Sequence, residues 1–228
     1  MNKNKISHIA FILDGNKRWA KKNNLHSTKG YEQGFENIKK IVDFASLSEI
    51  SNITLFTLSS ENFNRPSISI IYELIYNKFQ KLFDDIISKK NIKVKVFGSR
   101  KNLPQKLIKI LNKVETETYN NNSMNLNLAF NYGFKEEIKD VLRKYKDKIN
   151  NLNIEKQNEI NDLFMLGNIV DPDILIRTGG YKRLSNFIMY NLTYTELFFT
   201  DTLWPDFSIN ELKKILEEFS NINRKYGL

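Results

Sequence analysis

The sequence predicts an α/β fold in which a mainly parallel sheet is covered by helices on both faces. Two observations carry this. Short runs rich in β-branched and aromatic residues alternate with longer stretches of helical period. The first short run, Ile9-Ala10-Phe11-Ile12-Leu13, is apolar throughout, as a strand buried on both faces requires.

The elements follow in order. After the strand at 9–13, a helical period fits 31–48, with Phe35, Ile38, Ile41, Val42 and Ala45 on one side. Residues 53–58 read as the second strand. Pro66 opens a helix over 67–88, because its missing N–H falls where no helical bond is due. The apolar stripe of that helix is Ile71, Leu74, Ile75, Phe79, Leu82, Phe83 and Ile86. A stripe of this kind is core more often than cavity, although it can also wall a lipid tunnel. Residues 94–97 form the third strand, stopped by Gly98, and Pro104 opens a helix to about residue 119. Residues 126–130 form the fourth strand, a helix follows Gly133, and 174–176 form the fifth. The runs at 187–190 and 197–199 fit a strand less cleanly. Ser208 with Glu211 three residues on is a capping box at the start of a last helix through Phe219.

Composition narrows the chemistry. The chain of 228 residues is read as one domain, 1–228, and its 41% hydrophobic content suits a packed core. With no cysteine, a disulfide scaffold, a thiolate metal site and a cysteine nucleophile are excluded. His8 and His26 are the only imidazoles, so a multi-histidine metal centre is excluded as well. No apolar run approaches the roughly 20 residues needed to span a bilayer, which predicts a cytoplasmic soluble protein. The net charge of +9 favours an anionic partner. Residues 1–40 hold nine Lys/Arg against three Asp/Glu, and residues 81–110 hold nine against two. The second cluster reads as solvated surface, or as a contact with anionic lipid at the inner face of the membrane. Aromatic-interleaved basic stripes are lacking, so no nucleic-acid partner is expected.

In a parallel sheet, ligands bind at the carboxyl ends of the strands. The loop after the first strand reads Asp14-Gly15-Asn16-Lys17-Arg18-Trp19. Lys17 and Arg18 suit a phosphate. Asp14 would meet that phosphate through Mg²⁺, which takes one or two carboxylates plus phosphate oxygens. An Asx-turn with a helix cap is the plain structural alternative. A haloacid-type phosphatase needs a second aspartate where Ile12 stands and is discounted. The second loop, Ser59 to Pro66, offers Ser59, Ser60, Glu61, Asn62, Phe63 and Arg65. The third, Arg177 to Asn186, holds Arg177, Arg183 and Ser185 around paired glycines, and arginine forks match phosphate oxygens. Glu196, downstream in an apolar segment, is either ion-paired or a second metal ligand. Two anion-binding loops without a nucleophile suggest diphosphate chemistry with no covalent enzyme intermediate.

These segments, together with Asn131-Tyr132-Gly133, Asp173 to Gly180 and Leu203-Trp204-Pro205-Asp206-Phe207, resemble the cis-prenyltransferases. This is the isoprenyl diphosphate synthase group that includes bacterial undecaprenyl diphosphate synthase. The likeness runs in order from about residue 6 to the C-terminus. It implies a six-stranded sheet, a hydrophobic tunnel, a homodimer and Mg²⁺. It further implies condensation of isopentenyl diphosphate onto an allylic diphosphate such as farnesyl diphosphate, with cis geometry. Asp14 would be the essential aspartate at the metal, with Glu196 its partner. Gly15, Asn16, Lys17, Arg18 and Trp19 would serve the allylic diphosphate. Ser59, Ser60, Glu61, Phe63 and Arg65 would line the reacting centre, with Asn62 as proton acceptor. Arg177, Arg183, Leu184 and Ser185 would hold isopentenyl diphosphate. Ser27 and Tyr31 stand where the family often has arginine and histidine, and Tyr181 stands where glutamate is common. Lys225-Tyr226-Gly227 replaces a C-terminal Arg-x-Gly. These departures bear on affinity more than on reaction class. A non-catalytic subunit of the same fold would tend to lose the aspartate and the arginines, and both persist. The stripe at 71–86 favours a long product, because it offers Ile71, Leu74 and Leu82 rather than an early plug of aromatics, whereas Phe79 and Phe83 point to the alternative, a short-chain product.

Overall fold

Strand β1 (His8–Ile12) is buried at every residue, and the sheet is built outward from it. The computed structural model describes residues 4–61, 68–89, 91–146, 152–153 and 155–224, with side chains for all of these except 68–71, 74, 75 and 89. The other strands are β2 (Asn52–Ser59), β3 (Ile92–Phe97), β4 (Met124–Tyr132), β5 (Ile174–Arg177) and β6 (Glu196–Phe199). Their order is β3-β4-β2-β1-β5-β6, and every neighbouring pair is parallel. Parallel neighbours need a crossover, which the intervening helices supply. From β1 the chain first builds toward β2 and later returns to lay β5 on the other side. The β1–β5 junction is therefore the switch point, and a crevice at the carboxyl ends of these strands follows from the topology.

The helices are α1 (Asn16–Lys22), α2 (Ser27–Ser46), α3 (Ile68–Lys89), α4 (Gln105–Glu117), α5 (Phe134–Tyr145), α6 (Gln157–Asn161) and α7 (Ile209–Ser220). On one face of the sheet, Ile9 and Phe11 pack with Ile38 and Ile41 of α2, Phe79 and Phe83 of α3, Leu111 of α4 and Phe219 of α7. On the other, Ala10, Ile12, Phe56, Ala129 and Leu175 pack under Leu166, Phe187 and Ile188. The period-2 alternation of β1 thus feeds two cores from one strand.

Several expectations are refined. Phe79, Leu82, Phe83 and Ile86 of the α3 stripe are core residues, and Phe79 stacks on Phe83 with centroids 5.0 Å apart. Ile71, Leu74 and Ile75 lie outside the described side chains, and Pro66 outside the described residues. The run at 187–190 is no strand: Phe187 and Ile188 are buried and a 3₁₀ turn, Met189–Leu192, follows. Half of the predicted capping box forms. Ser208 Oγ accepts from Glu211 N–H at 3.1 Å, but the Glu211 carboxylate accepts the Thr200 hydroxyl at 2.6 Å instead of reaching back. Nor is the 81–110 cluster all solvated surface. Lys95 turns inward and donates to the Met165 carbonyl at 2.6 Å, with burial lowering its pKa. Among the described residues no helix is long and apolar enough to cross a membrane.

His8 makes the fold sensitive to acid. It is 1% exposed. Its Nδ1 faces the Val170 carbonyl at 2.5 Å and its Nε2 the Thr54 hydroxyl at 2.6 Å. A carbonyl can only accept, so Nδ1 carries the hydrogen and Nε2 takes the Thr54 proton. Burial pushes the imidazole pKa down to about 4. The unfolded chain therefore binds the proton first, and stability falls as the pH drops from the unfolded value of about 6.5 through the folded one. Between pH 7 and pH 5 the wild type is expected to lose about 2 kcal/mol more than His8→Gln, read from urea unfolding at both pH values. Equal losses would show that His8 does not carry the acid sensitivity.

Candidate active site

A cleft of about 670 Å³ opens at the carboxyl ends of β1, β2 and β5. Its floor is apolar, from Ile12, Leu13 and Phe56, and its walls are charged. Phe56 is fixed by stacking on Phe187 with centroids 4.6 Å apart.

Asp14 sits where β1 ends. Its backbone N–H bonds the Thr178 hydroxyl at 3.0 Å, and that hydroxyl donates to the Asp14 carbonyl at 2.8 Å. The loops after β1 and β5 are thereby tied together. Two guanidinium groups hold the carboxylate: Arg18 on Oδ1 at 3.1 Å and Arg177 on Oδ2 at 3.0 Å. Arg177 is 3% exposed. It also donates to Ser185 Oγ at 2.7 Å and to the Arg183 carbonyl. Its Nε is buried without a hydrogen-bond partner among the described residues. A buried donor left open in this way calls for an acceptor, and a substrate oxygen would satisfy it.

Two glycines let these groups close in. Gly15 has φ 121°, and a Cβ there would meet Leu203 at 2.9 Å. Gly179 has φ 84°, and a Cβ there would lie 2.4 Å from Arg18 Nη2. A side chain at 179 would push the Arg18 guanidinium from its place across the β5 loop.

The cleft gathers most of the residues that the sequence points to. Asp14, Gly15, Asn16, Lys17 and Arg18 line it from the first loop, Tyr31 from α2, Ser59 and Glu61 from the second loop, and Arg183 and Ser185 from the third. Others stand back. Trp19 does not line the cleft; its indole N–H donates to Asp206 Oδ1 at 2.6 Å and pins α1 to the turn at 204–206. Ser27 begins α2 away from the lining, and Leu184 packs against the second core. Ser60 donates to Glu136 at 3.4 Å. Asn62, Phe63 and Arg65 lie outside the described residues, as do Lys225, Tyr226 and Gly227.

Glu196 is not brought beside Asp14 within the chain. Strand register pairs Ile12 with Arg177 and Arg177 with Phe199, whereas Glu196 pairs with Ile174 at the opposite end of β5. Three residues of strand separate Glu196 from Phe199, about 10 Å. Glu196 instead faces Arg224, with Oε1 3.9 Å from Nε. Among the described residues, no three histidine or acidic side chains group to hold a metal.

Two residues in and around the cleft, Thr178 and Asn186, were not singled out from sequence, and a third, Tyr181, was noted only as a departure from the family pattern. Thr178 stitches the loops, as above. Asn186 donates to Glu61 at 3.0 Å and to Glu136 at 3.1 Å, joining the second and third loops. The ring of Tyr181 lies under Arg18, Arg177 and Arg183. Thr178 and Asn186 fall inside the quoted motifs, which was their only signal.

A family model described as "Putative undecaprenyl diphosphate synthase" matches residues 12–227. The chain belongs to this family. An isoprenyl transferase of Aquifex pyrophilus is 40% identical over 223 residues, covering 96% of this chain and 95% of the relative. A ditrans,polycis-undecaprenyl-diphosphate synthase of Buchnera aphidicola, named as specific for (2E,6E)-farnesyl diphosphate, is 36% identical over 231 residues, covering 99% and 92%. Among solved structures, the lavandulyl diphosphate synthase of Lavandula x intermedia, in complex with dimethylallyl diphosphate, is similar with a TM-score of 0.89. It is 29% identical, and the match covers 98% of each chain. The cis-prenyltransferase expectation holds, and with it the six-stranded fold: the chain is a prenyl-transferring enzyme of this family. The relatives' names state different products on one fold, so fold alone does not decide chain length.

Proposed function

We propose that this cis-prenyltransferase adds isopentenyl diphosphate units with cis geometry to an allylic diphosphate, farnesyl diphosphate being the preferred starter. The proposed product is a long polyprenyl diphosphate, undecaprenyl diphosphate for a cell-wall lipid carrier. The observation that carries the diphosphate reading is the Arg177 centre: a buried guanidinium bonded to Asp14 and Ser185, with one donor still open.

In each cycle the allylic C–O bond breaks and diphosphate leaves. A bond then forms between the allylic carbon and the terminal alkene carbon of isopentenyl diphosphate, and one proton is lost from the added unit. Arg18 and Lys17 face the departing diphosphate and offset its growing negative charge. Arg177, Arg183 and Ser185 hold the second diphosphate, so that both substrates sit in line. Ile12, Leu13 and Phe56 keep water from the developing allylic cation. Asn62, on the second loop, is the proposed proton acceptor. Each Asp14 oxygen keeps a lone pair beyond its arginine bond, and one carboxylate with substrate oxygens suits Mg²⁺. The donor set fits an ion that enters with a diphosphate. When bound, Mg²⁺ would neutralise part of the diphosphate charge.

A hydrophobic tunnel for the growing chain and a homodimer are part of the same proposal. Support for the dimer lies at β6, an edge strand whose Leu197 is exposed, with Met189 and Tyr194 of the preceding segment exposed as well. Peripheral contact with the inner face of the membrane, where a long product would leave, belongs to this reading too.

The test incubates purified protein with farnesyl diphosphate, radiolabelled isopentenyl diphosphate and Mg²⁺ and sizes the lipid product. A long product is expected, with turnover lost on chelation and restored by added Mg²⁺. No product under any condition would overturn the enzyme reading, and a product of three or four isoprene units would refute the long chain.

A further inference from the structure

We propose that Tyr181 is a positioning residue whose ring face holds the Arg18 and Arg183 guanidinium groups across the mouth of the cleft, so that both diphosphate sites stand assembled before substrate arrives. This rests on the diphosphate reading above. Arg18 rises from the loop after β1 and Arg183 from the loop after β5, so the two serve different substrates in that reading. Their guanidinium carbons lie 4.7 Å and 4.1 Å from the centre of the Tyr181 ring, and that of Arg177 lies 5.9 Å away. Three cations so close repel one another unless something between them compensates. Asp14 compensates Arg18 and Arg177. Among the described residues Arg183 has no carboxylate within ion-pair distance, and the ring of Tyr181 is what its guanidinium meets.

A π face attracts a cation without neutralising it. A carboxylate here would tether the same arginines and cancel part of the charge that a diphosphate needs. The ring tethers them and leaves the charge intact. The ring is itself held in place: Gly179 and Gly180 donate to the Thr202 and Thr200 carbonyls, each at 2.8 Å, and fix the backbone that presents it. Tyr181 is 44% exposed at the cleft rim, so it can be replaced without opening a core cavity.

The test is calorimetric titration of inorganic pyrophosphate into wild type, Tyr181→Phe and Tyr181→Leu, with steady-state kinetics on all three. Phenylalanine keeps the face and loses the hydroxyl, whereas leucine keeps apolar bulk and loses the face. Tyr181→Leu is expected to bind pyrophosphate about fivefold to tenfold more weakly, and Tyr181→Phe within about twofold of wild type. The KM for isopentenyl diphosphate should rise in Tyr181→Leu by more than kcat falls. Wild-type binding in Tyr181→Leu, or equal loss in both variants, would overturn the role of the ring. If wild-type protein takes no pyrophosphate, the diphosphate reading itself fails and this inference fails with it.

Discussion

Asp14→Ala is expected to lower prenyl transfer by roughly a thousandfold or more and, at the same time, to tighten the metal-free binding of pyrophosphate. The two effects have one cause. Asp14 is the carboxylate that accepts from both Arg18 and Arg177. Removing it strips the cleft of the group that suits Mg²⁺ and that spaces the two guanidinium groups. It also leaves Arg177, 3% exposed, as a buried cation without its counter-charge. Such a group costs about 3 kcal/mol of stability. An incoming anion relieves that cost, so pyrophosphate without metal gains affinity while the geometry for transfer is gone. Asp14→Asn separates these terms. The amide oxygen still accepts one arginine hydrogen bond, so less stability is lost, but the charge for the metal is absent and activity falls as far. Three measurements check this: product formation, calorimetry with pyrophosphate in chelator, and urea unfolding. Full activity in Asp14→Ala would end the assignment of Asp14 to the chemistry.

How far the sequence reaches depends on what each element buries. β1 and β2 were legible because their apolar runs are buried on both faces. β6 was ambiguous because it lies at the sheet edge, with no residue fully buried. α1 carries no apolar stripe, and only Ala20 of its seven residues is buried, so periodicity had nothing to register. The first and third loops could be read as anion sites because carboxylate, glycine and arginine types have few other uses together at strand ends. Relations set by register could not be read. Glu196 lies 19 residues beyond Arg177 in sequence, and only the pairing of β5 with β6 shows that it sits at the far end of the sheet from Asp14. The Tyr181 cluster is similar. It depends on Arg18, which lies 163 residues earlier, folding over Gly179, a contact that no local pattern records.

Arg177→Lys is the second large effect, and it tests geometry rather than charge. Arginine at 177 donates through Nη2 to Asp14 and through Nη1 to Ser185 and the Arg183 carbonyl, while Nε stays open. A planar fork reaches acceptors on several sides of one buried position, and a lysine ammonium acts as a point charge that cannot span them. With the charge kept, the Asp14 pair can persist, but the Ser185 and Arg183 contacts are lost together with the open donor. The loop from Arg183 to Ser185 then loses its hydrogen bonds to β5, and the Arg183 side chain keeps only its seat on the Tyr181 ring. The expected result is a fall of about a hundredfold in kcat/KM for isopentenyl diphosphate, equivalent to about 2.7 kcal/mol. The loss should fall mainly on KM, while KM for the allylic substrate, which Arg18 and Lys17 face, changes less. Steady-state kinetics with each substrate varied in turn separates the two. Equal weakening of both substrates would place Arg177 at the allylic diphosphate as well, and an unchanged kcat/KM would show that its fork plays no part in holding substrate.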